Sequence, residues 1–262
     1  MTKCLLFADD GSPGADQAWA WVIAQNWDGW QLTVLTVEPV GVSHAEPQEP
    51  RSWVPRVERV LPESTGAETI EFLIADGDPR EVLSNVAADL LVIGRRGSGF
   101  LKRLHIGSVA EALLDNPSAP LLIAHGGNPV QHITLAVDGS RYASRATEVL
   151  ADMPWLAGAR VTVLGVDEGD GHARAAVETA TGQLVDHAVA IDRRVIDHDP
   201  DALTVNVRYA LDHYIAEHPC DLVACGTKGL TGSERLRLGS VADYIAHHVD
   251  ASVLLVRDAY RR

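Results

Sequence analysis

A strand, a glycine loop and the start of a helix are encoded twice in this chain, and this duplication limits the folds open to it. The first segment spans residues 90–109 and reads LLVIGRRG, nine further residues, then GSV. The second spans residues 222–241 and reads LVACGTKG, nine further residues, then GSV. Each short apolar run before the loop predicts a strand buried on both faces of a parallel sheet. A repeat without insertion therefore predicts two α/β domains in tandem.

The glycines and serines of both segments predict a place where an anion binds. We expect the glycines to take positive φ and to let the backbone approach a ligand closely. Ser108 and Ser240 precede apolar residues at helical spacing, so we expect them to be helix N-caps. Unpaired amides at such a helix start bind anions, and phosphate is the anion we expect. A single segment would fit a plain strand-to-helix turn equally well, but the repetition favours binding.

Composition limits the compartment and the partners of the chain. Hydrophobic residues make up 46% and charged residues 22%, as is typical of soluble globular proteins. No apolar run is long enough to span a bilayer and the first residues do not resemble a signal peptide, so we expect a cytoplasmic protein. The net charge of −14 disfavours binding to nucleic acids or anionic membranes. Three cysteines are too few for a disulfide framework and are expected to be buried thiols.

An aspartate follows the first predicted strand of each half. Asp10 comes after the apolar run 4–8, and Asp138 comes after the apolar run 133–137. Ligand-binding residues of open α/β sheets lie at the carboxyl ends of strands. A carboxylate there can accept hydrogen bonds from ribose hydroxyls or hold a divalent cation. It can equally cap the next helix, and its chemistry alone does not separate the two roles.

The spacing G-x-x-G-(nine residues)-G-S resembles the signature of the nucleotide-binding branch of the universal stress protein family. The resemblance covers essentially the whole chain as two tandem copies, which we assign to residues 1–127 and 128–262. It implies an α/β fold of two doubly wound, Rossmann-like domains of the adenine nucleotide α-hydrolase type, each with a five-stranded parallel sheet. It also implies that each domain of a stress-response module binds ATP together with Mg²⁺.

The family's pattern implies a set of cofactor-binding residues in each half, with no catalytic residue and no metal ligand from the protein. The aspartates would hold the ribose, the backbone at two valines would read the adenine edge, and the glycine loops would hold the phosphates. The implied residues of the first half are Asp10, Val37, Gly94, Arg95, Gly97, Gly107, Ser108 and Val109. Those of the second half are Asp138, Val166, Gly226, Gly229, Gly239, Ser240 and Val241.

Basic side chains cluster in both loop segments of this acidic chain. They are Arg95, Arg96, Lys102 and Arg103 in the first segment, and Lys228, Arg235 and Arg237 in the second. Local positive charge suits a polyphosphate, although a solvated loop would carry the same residues. His105 lies two residues before Gly107, within reach of a phosphate, and we expect it to act through charge and not through proton transfer.

The two halves diverge after the second predicted strand. Residues 38–52 are proline-containing and predict an irregular excursion, and residues 53–61 predict a short helix. The second half has a helical stretch from about Ala173 instead. It also lacks the glycine that precedes Asp78-Pro79 in the first half, which makes the geometry of its pocket mouth harder to predict.

Other functions and partners stay open from the sequence. A weak ATPase or a nucleotidyl transferase could use the same fold, but no residue is designated as a water-activating base, so at most slow ATP hydrolysis is expected. A scaffold with vestigial pockets is a third reading. From the family's habit we expect the last strands, residues 120–124 and 252–256, to pair in an intramolecular pseudo-dimer. A homodimer and a regulatory protein partner are further expectations.

Overall fold

The computed structural model describes residues 2–38, 59–95, 106–197, 207–230 and 238–258. The chain divides into two compact units, one reaching to Pro129 and the other running from Val130. We call them the first unit and the second unit. Each consists of parallel strands that alternate with helices, which is the α/β class that the repeat predicts.

The first unit begins with a strand and alternates regularly thereafter. Its elements are β1 (Lys3–Ala8), α1 (Pro13–Ala24), β2 (Trp30–Glu38), a 3₁₀ turn (Glu63–Thr65), β3 (Thr69–Asp76), α2 (Pro79–Leu83), β4 (Leu90–Gly94), α3 (Ser108–Asp115) and β5 (Leu121–Ala124). The strand order within this unit is β3-β2-β1-β4-β5, and all neighbours are parallel.

The second unit repeats this arrangement. Its elements are β6 (His132–Ala136), α4 (Arg141–Ala151), a 3₁₀ turn (Pro154–Gly158), β7 (Arg160–Val166), α5 (His172–Leu184), β8 (Ala190–Ile196), α6 (Val207–Glu217), β9 (Leu222–Gly226), α7 (Ser240–His248) and β10 (Ser252–Val256). The order is β8-β7-β6-β9-β10, again all parallel. The strand order reverses between β6 and β9, and such switch points are where ligands bind in open α/β sheets.

Apolar strands form the core of each unit. The central strands β4 and β9 are almost fully buried, as their continuous apolar runs predict. Trp19 and Trp21 on α1 are 7% and 1% exposed and pack in the core. Glu38 of the predicted excursion ends β2, whereas residues 39–52 and most of the predicted helix at 53–61 lie outside the described residues.

Candidate functional site

A cavity of about 550 Å³ opens in the second unit at the carboxyl end of its sheet, and we call it the site cavity. It lies among the ends of β6, β7 and β9 and the starts of α6 and α7. All seven residues predicted for this half line it: Asp138, Val166, Gly226, Gly229, Gly239, Ser240 and Val241. Its volume falls in the range of small-molecule sites, which is roughly 300–1,000 Å³.

Asp138 joins the turn after β6 to the glycine loop. One carboxylate oxygen accepts a hydrogen bond from the amide of Ser140 at 2.9 Å, and the other accepts one from the amide of Leu230 at 3.0 Å. Ser140 itself is the N-cap of α4, and its hydroxyl accepts from the amide of Ala143. The sequence left open whether Asp138 caps the next helix, and the structure shows that Ser140 does so instead. Asp10 likewise precedes the cap of α1, which is Ser12.

Atoms of neighbouring residues lie close to the loop glycines of the second unit, where a side chain would begin. A Cβ on Gly226 would lie 2.6 Å from the backbone carbonyl carbon of Tyr142, at the first turn of α4. One on Gly229 would lie 2.7 Å from Oδ2 of Asp138, and one on Gly239 would lie 3.2 Å from the carbonyl oxygen of Thr227. These contacts hold the end of β9, the loop and the start of α7 in one compact arrangement.

The prediction that the loop glycines take positive φ is wrong for those that the structure describes. Gly107 and Gly239 both have φ of −78°, in the extended region open to any residue. Left-handed glycines occur instead at Gly11 and Gly139, with φ of 67° and 81°, in the turns after β1 and β6, and at Gly169 and Gly171, with φ of 93° and 75°, after β7. Gly94 and Gly226 are needed because the backbone of a neighbouring helix leaves no space for a side chain, and spacing alone does not reveal such crowding.

The prediction that Ser108 and Ser240 are N-caps is also wrong by one residue. The caps of α3 and α7 are Gly107 and Gly239, and no side chain donates or accepts a capping hydrogen bond there. Each serine is the first helical residue instead. The amides of the first turn of α7 are consequently left without a side-chain cap where that helix borders the site cavity, and such a helix end attracts anions.

Several side chains that were not among the predicted site residues complete the cavity wall. They are Glu168 and Asp170 on the loop after β7, His172 at the start of α5, Val207, Arg208 and Leu211 on α6, Cys225 on β9 and Lys228 just after it. The acidic, glycine-containing run after β7 could have signalled the first group, since it follows a strand end. Arg208 and Leu211 have no comparable signal, because only the folded sheet places α6 there.

Charge is distributed unevenly around the cavity. Lys228 is only 7% exposed, and its ammonium lies 6.0 Å from the ring centre of Tyr142. Nδ1 of His172 lies 3.2 Å from an oxygen of Asp170, and both residues line the same cavity. Burial, together with the nearby carboxylate of Asp138, raises the pKa of the Cys225 thiol to about 12, so this thiol stays neutral at physiological pH.

The first unit places most of its predicted residues in corresponding positions. Asp10 follows β1, Val37 lies near the end of β2, Gly94 ends β4, Arg95 follows it, and Ser108 and Val109 begin α3. The amide of Gly107 donates to the carbonyl of Arg95 at 3.0 Å, as that of Gly239 donates to Thr227 at 2.7 Å. Gly97 lies outside the described residues, as do Arg96, Lys102, Arg103, His105, Arg235 and Arg237.

A buried ion pair distinguishes the first unit from the second. Arg59 donates two hydrogen bonds of 2.7 Å to Asp9 and one of 2.8 Å to Asp16. Asp9 occupies the position that Val137 has after β6, since both amides donate to the neighbouring strand. Burial lowers the pKa of Arg59, but the hydrogen bonds to Asp9 and Asp16 outweigh it, so the pKa is raised and the charge is retained.

The remaining expectations concern cysteines, metals and membranes. Cys225 is buried as predicted, whereas Cys4 and Cys220 are only partly buried, and all three are free thiols. The described ranges contain no group of three or more His, Cys, Asp or Glu side chains arranged to hold a metal ion. Within those same ranges, no helix combines the length and the apolar character needed to cross a membrane.

Known proteins resemble the chain over most of its length. The model of the universal stress protein family matches residues 1–125 and again 129–257. A universal stress protein of Mycolicibacterium smegmatis is 28% identical over 65% of this chain, and the alignment spans 62% of that relative. One from Mycobacterium tuberculosis is 24% identical over 80% of this chain and 78% of its own length. The chain thus spans somewhat less than two thirds of the first of these relatives.

A solved structure shows the same fold across both units. The universal stress protein from Archaeoglobus fulgidus superposes with a TM-score of 0.68 and 19% identity, covering 99% of this chain and 100% of its own. A functionally unknown protein from Pseudomonas aeruginosa gives a TM-score of 0.61 at 15% identity. Because the family model matches twice and nearly end to end, this chain belongs to the universal stress protein family, in its tandem two-domain form.

Proposed function

We propose that the protein is an ATP-binding regulatory module of the stress response, with one adenine nucleotide site in each unit. The observation that carries the proposal is the site cavity. It brings together seven residues, predicted from spacing and family resemblance, around a helix start that lacks a side-chain cap. A cavity of about 550 Å³ is large enough for a nucleotide.

The cavity offers a different kind of partner to each part of ATP. The first-turn amides of α7, at Ser240 and Val241, suit the phosphates because the N-terminus of a helix carries partial positive charge. Arg208 and Lys228 add cationic charge to the same wall. Asp138 retains acceptor capacity for ribose hydroxyls beyond the two amides it already binds.

Mg²⁺ fits this proposal as a companion of the phosphates. Magnesium is usually held by substrate phosphates, waters and one or two carboxylates, and not by a full set of protein ligands. Glu168 and Asp170 on the cavity wall supply carboxylates of this type. The ion would neutralise phosphate charge that Arg208 and Lys228 leave uncompensated.

Titration calorimetry with ATP tests the proposal when combined with Ser240→Asp. Ser240 is exposed at the first helical position, where an acidic residue stabilises a helix by about 0.3–1 kcal/mol. The variant should therefore unfold at the same temperature or higher, yet it should repel phosphate from the second unit. Ser108→Asp is the matched change in the first unit.

Each single variant should lose one of two ATP-binding events, and the double variant should lose both. Steady-state phosphate release should stay near background, which separates a binder from an ATPase. A wild-type chain without measurable affinity for ATP, or a double variant that binds like the wild type, would overturn the proposal.

A further inference from the structure

A second cavity of about 360 Å³ adjoins the site cavity in the second unit. It lies between α4 and α5, and we call it the α4–α5 cavity. Five residues line both spaces: Val137, Asp138, Ala143, His172 and Leu230. The two cavities therefore meet at the carboxylate that the proposed function assigns to the ribose.

Small and uncharged side chains line the rest of the α4–α5 cavity. Helix α4 contributes Ser144 and Thr147, and α5 contributes Ala176, Thr179 and Gln183. The hydroxyl of Thr147 donates to the carbonyl of its own helix, so it does not demand a partner in the cavity. The titratable groups at the junction are Asp138 and His172, and Asp170, which contacts His172, lines the site cavity alone.

The first unit fills the corresponding place with its own side chains. The N-caps Ser12 and Ser140 fix the correspondence, which puts Asp16 at the position of Ser144 and Trp19 at that of Thr147. Arg59 packs there, with its guanidinium carbon 5.9 Å from the ring centre of Trp19. The space is therefore occupied in one unit and open in the other.

We infer that the second unit accepts adenine nucleotides that carry an uncharged substituent on the 2′ or 3′ oxygen of the ribose, with the substituent seated in the α4–α5 cavity. This inference rests on the proposed function, because it places the ribose at Asp138. The unsubstituted hydroxyl would still donate to that carboxylate. An added phosphate is disfavoured because the carboxylate of Asp138 lies at the junction. The first unit should reject the substituent, since Arg59 and Trp19 fill the equivalent space.

The test compares ATP with its 2′(3′)-O-(N-methylanthraniloyl) ester, whose fluorescence rises when the ring leaves water. Both ligands are titrated into the Ser108→Asp chain, so that only the second site is available. The ester should bind about tenfold tighter than ATP or better, because burial of an aromatic ring favours binding by roughly that factor.

Two variants fill the α4–α5 cavity, and a third variant serves as the control. Thr147→Trp copies the residue that the first unit has, and Thr179→Phe fills the cavity from an exposed position on α5. Both should reduce the ester's affinity to that of ATP while ATP binding stays within about twofold. Gly182→Phe, on α5 but outside the cavity wall, has open space at its Cβ and should retain the preference for the ester.

The outcomes separate the inference from the proposed function. A chain that binds ATP but shows no preference for the ester, or whose preference survives both cavity-filling variants, overturns the inference alone. A chain that binds neither ligand overturns both. Thr179→Phe keeps the test decisive if Thr147→Trp does not fold, because Thr179 is exposed.

Discussion

The guanidinium of Arg59 is held by two carboxylates in the first unit, where the second unit has a valine and a serine. The side chains of Arg59 and Asp9 are 5% and 0% exposed, so neither charge is well solvated without the other. Such a pair is expensive to break but not necessarily stabilising as a whole, because both charges lose hydration on folding.

Arg59→Met should lower the free energy of unfolding of the first unit by about 3–5 kcal/mol, because it leaves Asp9 buried without a partner. The double variant Asp9→Val with Arg59→Met copies Val137 and should recover most of that loss. Urea unfolding of the four chains of the cycle measures both effects. Equal losses in the single and double variants would show that the charge of Asp9 is not the cause.

The raised pKa of Cys225 predicts that the second unit becomes less stable at alkaline pH. Its pKa is raised to about 12 in the fold by burial and by Asp138, whereas a thiol in the unfolded chain titrates near about 8.5. The contribution of this thiol to stability is thus fully present below the unfolded pKa and is lost as the pH rises towards 12.

The free energy of unfolding of the wild type, relative to that of Cys225→Ala, should fall by about 1–2 kcal/mol between pH 8 and pH 10. Chemical unfolding at several pH values measures it. Val223→Ala, at a buried position on the same strand with no ionisable group, is the control and should show a constant difference. A Cys225→Ala profile as flat as that control would contradict the raised pKa.

Helix α4 approaches β9 so closely that Gly226 is needed between them. Helix α1 does the same to β4, because a Cβ on Gly94 would lie 2.6 Å from the carbonyl oxygen of Gly14. The first glycine of each loop therefore fixes where a helix packs, and the helix in turn positions Asp138 or Asp10. The glycine spacing serves the fold and the proposed site together.

Gly226→Ala should cost about 1–3 kcal/mol, because its methyl group would meet the backbone of Tyr142 at 2.6 Å and the helix must shift. Gly182→Ala should instead stabilise by about 0.5–1 kcal/mol, since it lies inside α5 with nothing within 4 Å of its Cβ. Thermal unfolding compares the two variants. Similar values for both would contradict the role of close packing at Gly226.

Strands were predictable from the sequence because their apolar runs are continuous. The strands predicted before the two glycine loops are β4 and β9, and both end at their glycines as expected. The helix starts were off by one residue, because a Gly-Ser pair does not reveal which member is the cap. The reason for the loop glycines was also missed, since crowding by another element exists only in the folded unit.

Residues of the candidate site were predictable where they belong to the family's motif, and residues outside the motif were not. Asp138 was predicted from its place after an apolar strand and the loop glycines from their spacing, and in the second unit they line one cavity. Arg208 and Leu211 were not found, because they come from a helix whose sequence carries no motif and whose position depends on sheet order. The α4–α5 cavity was invisible for a similar reason: it depends on small residues meeting across two helices.

At the scale of the whole molecule, the same fold occurs twice, but the side chains that fill the two units differ. Both units share strand order, N-caps and loop closure, but only the first carries the Arg59 pair, and the α4–α5 cavity lies in the second. An acidic chain with a net charge of −14 would attract a nucleotide only where local groups reverse the field. Under the proposed function, the α7 start, Arg208 and Lys228 would be such groups in the second unit.

Nucleotide identification on natively purified protein tests the central claim most directly. The protein is isolated without added nucleotide, denatured, and its released small molecules are analysed by mass spectrometry, with the Ser108→Asp/Ser240→Asp double variant as control. We predict that wild-type protein releases adenine nucleotide and that the double variant releases none. A wild-type preparation that releases no adenine nucleotide, and that takes up none when ATP is supplied before isolation, would contradict the account.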